Sequence, residues 1–116
     1  MMQNLDLECA KLAETLAQQM SEQVITKALG VLEEQGLYAY FLFLESSKEV
    51  EKQVITECDN FLQKNFLLEN NTEDTLKKLQ KLATDLDNLL FARDLLRQAL
   101  VYARYHAKVK EKGKST

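Results

Sequence analysis

LYAYFLFL, from Leu37 to Leu44, is apolar on every face, and whether it forms a strand or a helix decides the fold. Periodicity cannot separate a buried strand from a buried helix over so short a run, so the flanking sequence must. Upstream, Leu5, Cys9, Leu12, Leu16, Met20, Val24, Ala28 and Val31 recur in steps of three and four, which is the stripe of an amphipathic helix. Downstream, Val50, Val54, Cys58, Phe61 and Leu62 give a second stripe, to about Phe66. From Thr75 a third runs through Leu76, Leu79, Leu82, Leu86, Leu89, Leu96, Leu100 and Ala103. In that setting a lone strand has no neighbour to satisfy its backbone N–H and C=O groups. The stretch reads as a short helix at the centre of a bundle. Its Tyr38, Tyr40, Phe41 and Phe43 could serve as a stacking platform for bases, but core packing is the simpler use.

Composition agrees. The chain of 116 residues is 46% apolar and 28% charged, with no proline and three glycines. That is an ordinary globular balance, and it leaves too few turn formers for an all-β fold. The prediction is all-α: a compact bundle of five to six helices around a short, wholly apolar central helix. One domain spans 1–112, and 113–116 is a disordered basic tail.

Boundary signals divide the stripes. Ser21 can cap a second helix after a break at Met20, and Gly36 suits an αL stop after Glu34. Ser46 or Ser47 can cap the helix that follows LYAYFLFL, with Glu49 or Val50 in its first turn. Glu69 to Asp74 is a loop. Thr72 and Thr75 form no capping box, although Glu73 and Asp74 suit a helix start. A break near Thr84–Asp87 divides the remainder into helices at about 73–83 and 86–111.

The N-terminal MMQNLDLECAKLAETL lacks a basic region leading into an apolar core, so no signal peptide is expected. No apolar run approaches the roughly 20 residues that span a bilayer. These features, with two cysteines far apart in sequence, predict a cytoplasmic protein whose Cys9 and Cys58 stay reduced.

Catalytic patterns are scarce. His106 is the sole histidine, and no C-x-x-C or H-x-x-x-H spacing accompanies it, so no metal site is expected. The Glu-x-x-His pair of di-metal bundles needs two histidines. Neither a P-loop nor a dinucleotide-binding glycine loop occurs. A ribonuclease pairing of Arg with His four to six residues later also fails, since Arg97 and Arg104 precede His106 by nine and two. A helix-turn-helix reader is disfavoured, because the glycine-bearing junction at Gly36 leads into the most apolar helix. The expectation is no enzyme, no cofactor and no small-molecule substrate.

Charge is unevenly placed. Residues 1–92 carry eight lysines against sixteen carboxylates, a balance of −8, while residues 93–116 carry seven basic side chains against two acidic, a balance of +5. An acidic body with a basic helix end suggests an anionic contact. The competing reading is ordinary: cations at a helix C-terminus complement its dipole.

Two stretches carry a resemblance to a family. ALGVLEEQGLYAYFLFLES (Ala28–Ser46) resembles the small all-helical subunit of Cmr-type (type III-B) CRISPR RNA-silencing complexes. There a helix closes on a polar-Gly-Leu step and continues into an apolar helix, and Gly36, Leu37, Phe43 and Leu44 fall on that pattern. LLFARDLLRQALVYARYHAKV (Leu89–Val109) is similar to the family's last helix through Phe91, Arg93, Leu100, Tyr102, Arg104 and Ala107. Two departures stand out: Glu33-Glu34 replaces a Lys-rich approach, and no tryptophan fills the closing position.

The resemblance implies a non-catalytic subunit that packs against other effector subunits and the guide/target RNA backbone in antiviral defence. Lys and Arg would supply such contacts without reading bases, so affinity would fall steeply with salt. The residues matching that role are Arg93, Arg97, Arg104 and Lys108, spaced to line one side of a helix, with Lys27 in reach of joining them, as are Lys48 and Lys52. The alternative is a helical homodimeric adaptor or protein-interaction module without nucleic acid, in which these are surface cations paired with carboxylates.

Overall fold

The structure, a computed structural model, describes residues 4–71 and 73–114. Six helices follow one another: α1 (Leu5–Gln19), α2 (Glu22–Gln35), α3 (Leu37–Ser46), α4 (Lys52–Lys64), α5 (Thr75–Leu82) and α6 (Leu86–Lys114). The fold is an all-α bundle, and among the described residues no helix is long and apolar enough to cross a membrane.

Helix α6 is the spine. Its 29 residues reach about 43 Å at 1.5 Å per residue. α1 lies parallel to it: Cys9 donates to the Leu95 carbonyl at 3.5 Å, and the end of α1 stands beside Ala107. α2 lies antiparallel, with Glu33 facing Arg97 and Glu22 facing Lys108. Small side chains line these contacts. Ala92, Ala99, Ala103 and Ala107 of α6 are buried, as are Ala13 and Ala17 of α1 and Ala28 of α2. Without bulk between them the helices approach closely, and Leu16, Ile25, Leu32, Leu96 and Leu100 fill the remaining space.

The caps follow from local chemistry. Asn4 accepts from the Leu7 N–H at 3.1 Å, and Ser21 accepts from the Val24 N–H at 3.3 Å. The chain therefore turns at Met20 without losing helix. Gly36 ends α2, although not in the αL basin: its φ of 98° and ψ of −177° lie in a region open essentially to glycine alone. That extended step lets α3 begin at the next residue.

Helix α3 is central, with one side open. Tyr40 and Phe41 are fully buried and meet edge to face, centroids 5.2 Å apart, while Tyr38 and Leu42 are about two-fifths exposed. Buried Tyr40 shares a hydrogen bond of 3.3 Å with Cys58. After α3 the expected serine cap is absent. Ser47 instead accepts from the Glu49 N–H at 3.2 Å in a tight turn, and α4 starts later, at Lys52.

The end of α4 is a Schellman motif with an unusual occupant. The Leu67 N–H bonds the Leu62 carbonyl at 2.9 Å and the Phe66 N–H bonds the Gln63 carbonyl at 3.0 Å. Phe66 thus holds the position that glycine normally takes, at φ 60°, with its ring 91% exposed. Leu67 and Leu68 then turn inward and are buried. α5 starts at Thr75 after Asp74, which makes no side-chain cap; Thr72 lies outside the described residues. The break before α6 is real, bridged by Asp85, whose carboxylate accepts from the Asn88 N–H at 3.2 Å. α6 continues to Lys114, past the boundary expected near 111, and Ser115 and Thr116 lie outside the described residues.

Candidate nucleic-acid interface

On a helix of 3.6 residues per turn, Arg93, Arg97, Arg104 and Lys108 fall within about 60° of one another. This row borders the seam between α6 and α2, because α2 packs antiparallel against that edge. The geometry puts acid beside base. Arg97 Nε is 3.7 Å from Glu33, Lys108 Nζ is 4.0 Å from Glu22, and Arg93 is 3.9 Å from its neighbour Asp94. Arg104 is half-buried, and its Nε has no hydrogen-bond partner among the described residues. Lys27 is not part of the row. It leaves α2 roughly 120–140° round the helix from Glu22 and Glu33, and pairs with Glu49 at 3.8 Å.

These ion pairs are long and solvated, since both partners of the Arg97–Glu33 pair keep nearly half their side-chain surface exposed. Such pairs contribute about 0–1 kcal/mol each. They hold the cations loosely, and each places a negative charge beside the row. Toward the C-terminal end, Lys110 and Glu111 line a cleft of about 340 Å³ with Gln18, Gln19 and Ser21 at the α1–α2 elbow. The Gln19 side-chain oxygen is buried there without a partner among the described residues. His106 sits on the outer part of α6, exposed.

A second polar cluster was not foreseen. Lys78 of α5 is 2% exposed and Asp59 of α4 is 8% exposed, and they meet at 3.0 Å. Lys78 also donates to the Glu69 carbonyl at 3.2 Å. Asp59 accepts from Gln63 at 2.7 Å and from the Thr75 hydroxyl. Every contact joins α4, the 65–74 loop or α5, so the cluster locks that corner shut. Its signal was present in the sequence: Thr75, Lys78, Leu79 and Leu82 share one helical stripe, and a lysine within an apolar stripe needs a buried acid.

The two thiols are free and separately engaged. Burial, followed by the nearby charges of Asp6 and Glu8, pushes the Cys9 thiol up to about 11. Burial pushes Cys58 up to about 12, against the opposing effect of its bond with Tyr40. Both are protonated at neutral pH and are poor nucleophiles. Among the described residues no three His, Cys, Asp or Glu side chains are grouped to hold a metal. The chain matches no protein-family model, no curated protein and no solved structure.

Proposed function

We propose that the protein is a non-catalytic small subunit of a type III-B CRISPR effector complex, touching the guide/target RNA backbone and neighbouring subunits. The observation that carries this reading is the row Arg93, Arg97, Arg104 and Lys108 along one edge of α6. Three of its members are held at 3.7–4.0 Å by solvated carboxylates. A phosphate at that edge accepts short charge-assisted hydrogen bonds from cations that the carboxylates hold only at long distance. Lys27, on another face of α2, serves a separate contact in this reading. The resemblance at Ala28–Ser46 and Leu89–Val109 supplies the type of assembly.

Tagged purification from the native host, with mass spectrometry and RNA extraction, tests the proposal. Recovery of large RNA-bearing effector subunits with a short guide RNA supports it. Recovery of the chain alone, or with one unrelated protein and no RNA, overturns it. A second reading, a helical protein-interaction module without nucleic acid, is favoured by one specific observation: Arg93, Arg97, Lys108 and Lys27 each have a carboxylate within 4.0 Å. Titration of duplex RNA at low and moderate salt separates the two readings, since a phosphate-contacting row gives weak binding that falls steeply with salt.

A further inference from the structure

About 130° round α6 from the cationic row lies a face whose outer side chains are open to solvent, while Tyr102 at its inner edge donates to Asp6 of α1. Phe91 is 42% exposed, Tyr105 59% and Val109 71%, and Gln98 and Tyr102 are half-buried between them. With buried Leu95, these positions follow one another in alternating steps of four and three, which is the seam of a two-helix coiled coil. From Phe91 to Val109 the seam is about 27 Å long.

The row flanking this seam reads Asp87, Asp94, Val101, Lys108 at seven-residue steps, acidic at its start and basic at its end. A face whose charge inverts along its length matches itself only when reversed. In an antiparallel pair of α6 helices, Asp94 of each copy faces Lys108 of the other, and Val101 meets Val101 at the two-fold axis. The seam then pairs Phe91 with Val109, Gln98 with Tyr102 and Tyr105 with Leu95. A parallel pair sets the same row against Ala92, Ala99 and His106, two of them buried, and gains no ion pair. We infer that the outer face of α6 is a self-association surface on which a second copy of this chain packs antiparallel about a two-fold axis. Such an interface is isologous and closes at two copies. The inference rests on neither RNA binding nor the family resemblance, and in the dimer Lys108 leaves Glu22 and the phosphate-contacting row to face Asp94 of the second copy.

Sedimentation equilibrium across protein concentration and salt tests it. The expected result is a reversible dimer of twice 13.4 kDa, with a dissociation constant of about micromolar order, as suits a small interface. Tyr105→Glu with Val109→Glu removes exposed side chains only, so the fold persists by circular dichroism while the dimer weakens by about 100-fold or more. Asp94→Lys and Lys108→Glu each set two like-charge pairs across the axis and weaken association about tenfold at low salt. Asp94→Lys combined with Lys108→Glu in one chain restores it. A monomer at all concentrations up to several hundred micromolar, on the order of 100 times a micromolar constant, overturns the inference. So does a dimer indifferent to Tyr105→Glu/Val109→Glu, or a double charge swap that fails to restore association.

Discussion

Two lysines of this bundle meet carboxylates under opposite conditions. Lys78 and Asp59 are 3.0 Å apart, with the lysine side chain 1% exposed. Lys108 and Glu22 are 4.0 Å apart, with the lysine 55% exposed. The first pair has left water, so it persists only because Thr75, Gln63 and the Glu69 carbonyl complete its hydrogen bonds. The second has kept its water and holds its partner loosely. A buried pair specifies structure and is unavailable to ligands, whereas an exposed one contributes little structure and remains exchangeable. Functional cations are therefore sought on α6, and structural ones between α4 and α5.

The largest expected effect comes from breaking the buried side. Lys78→Ala strands an uncompensated Asp59 carboxylate and costs about 3–5 kcal/mol, read as a fall in the urea midpoint. Lys78→Met with Asp59→Leu removes both charges and recovers most of that loss. If the single and double variants are equally unstable, the damage comes from packing rather than from the orphaned charge.

The buried thiols sharpen the contrast through pH as well. The thiol values of about 11 for Cys9 and about 12 for Cys58 lie above the ordinary 9.0. Because the native state binds these protons more tightly, the stabilisation is complete below pH 9. It declines as pH rises through the two native values. Thiol-reactive reagents at pH 7.5 are expected to label both residues orders of magnitude more slowly than in unfolded protein, and stability is expected to fall above pH 9.

Phe66→Gly acts in the other direction. It relieves a left-handed backbone at a fully solvated site, a gain of about 1 kcal/mol less the entropy that glycine adds to the unfolded chain. The expected result is a small rise in melting temperature. A fall would mean that the ring packs on the loop in solution.

The smallest effect belongs to the exposed side. Arg97→Ala and Lys108→Ala should each change stability by less than about 0.5 kcal/mol, and by less still at high salt. Thermal melts at low and high ionic strength check this. A loss approaching that of Lys78→Ala would make the row structural and remove the contrast.

What the sequence disclosed depends on how local each cause was. The stripes on α1, α2 and α4 were legible because burial repeats with helical period, and so was the fate of LYAYFLFL, which its neighbours dictate. Ser21 was readable because a cap acts within one turn. Ser47 was misplaced because a serine offers the same hydroxyl to a tight turn as to a helix start. Phe66 was hidden, since the Schellman position is recognised by glycine and here carries an aromatic. The row on α6 could be counted along one helix. Its pairing with Glu33 and Glu22 could not, because it depends on α2 lying antiparallel across dozens of residues. Lys78 was missed for the same reason: its partner Asp59 is 19 positions away on a different helix.

The placement of α6 governs how the chain can be made. α1 and α2 bury their alanine and leucine faces against a helix that follows them by more than half the sequence, and Cys9 meets Leu95 across 86 positions. During synthesis at about 5–20 residues per second, those faces leave the ribosome several seconds before their partner exists. The nascent chain therefore carries unpartnered amphipathic faces until α6 emerges, and the bundle closes only then. In that interval the excess negative charge of the first 92 residues opposes coalescence with neighbouring chains.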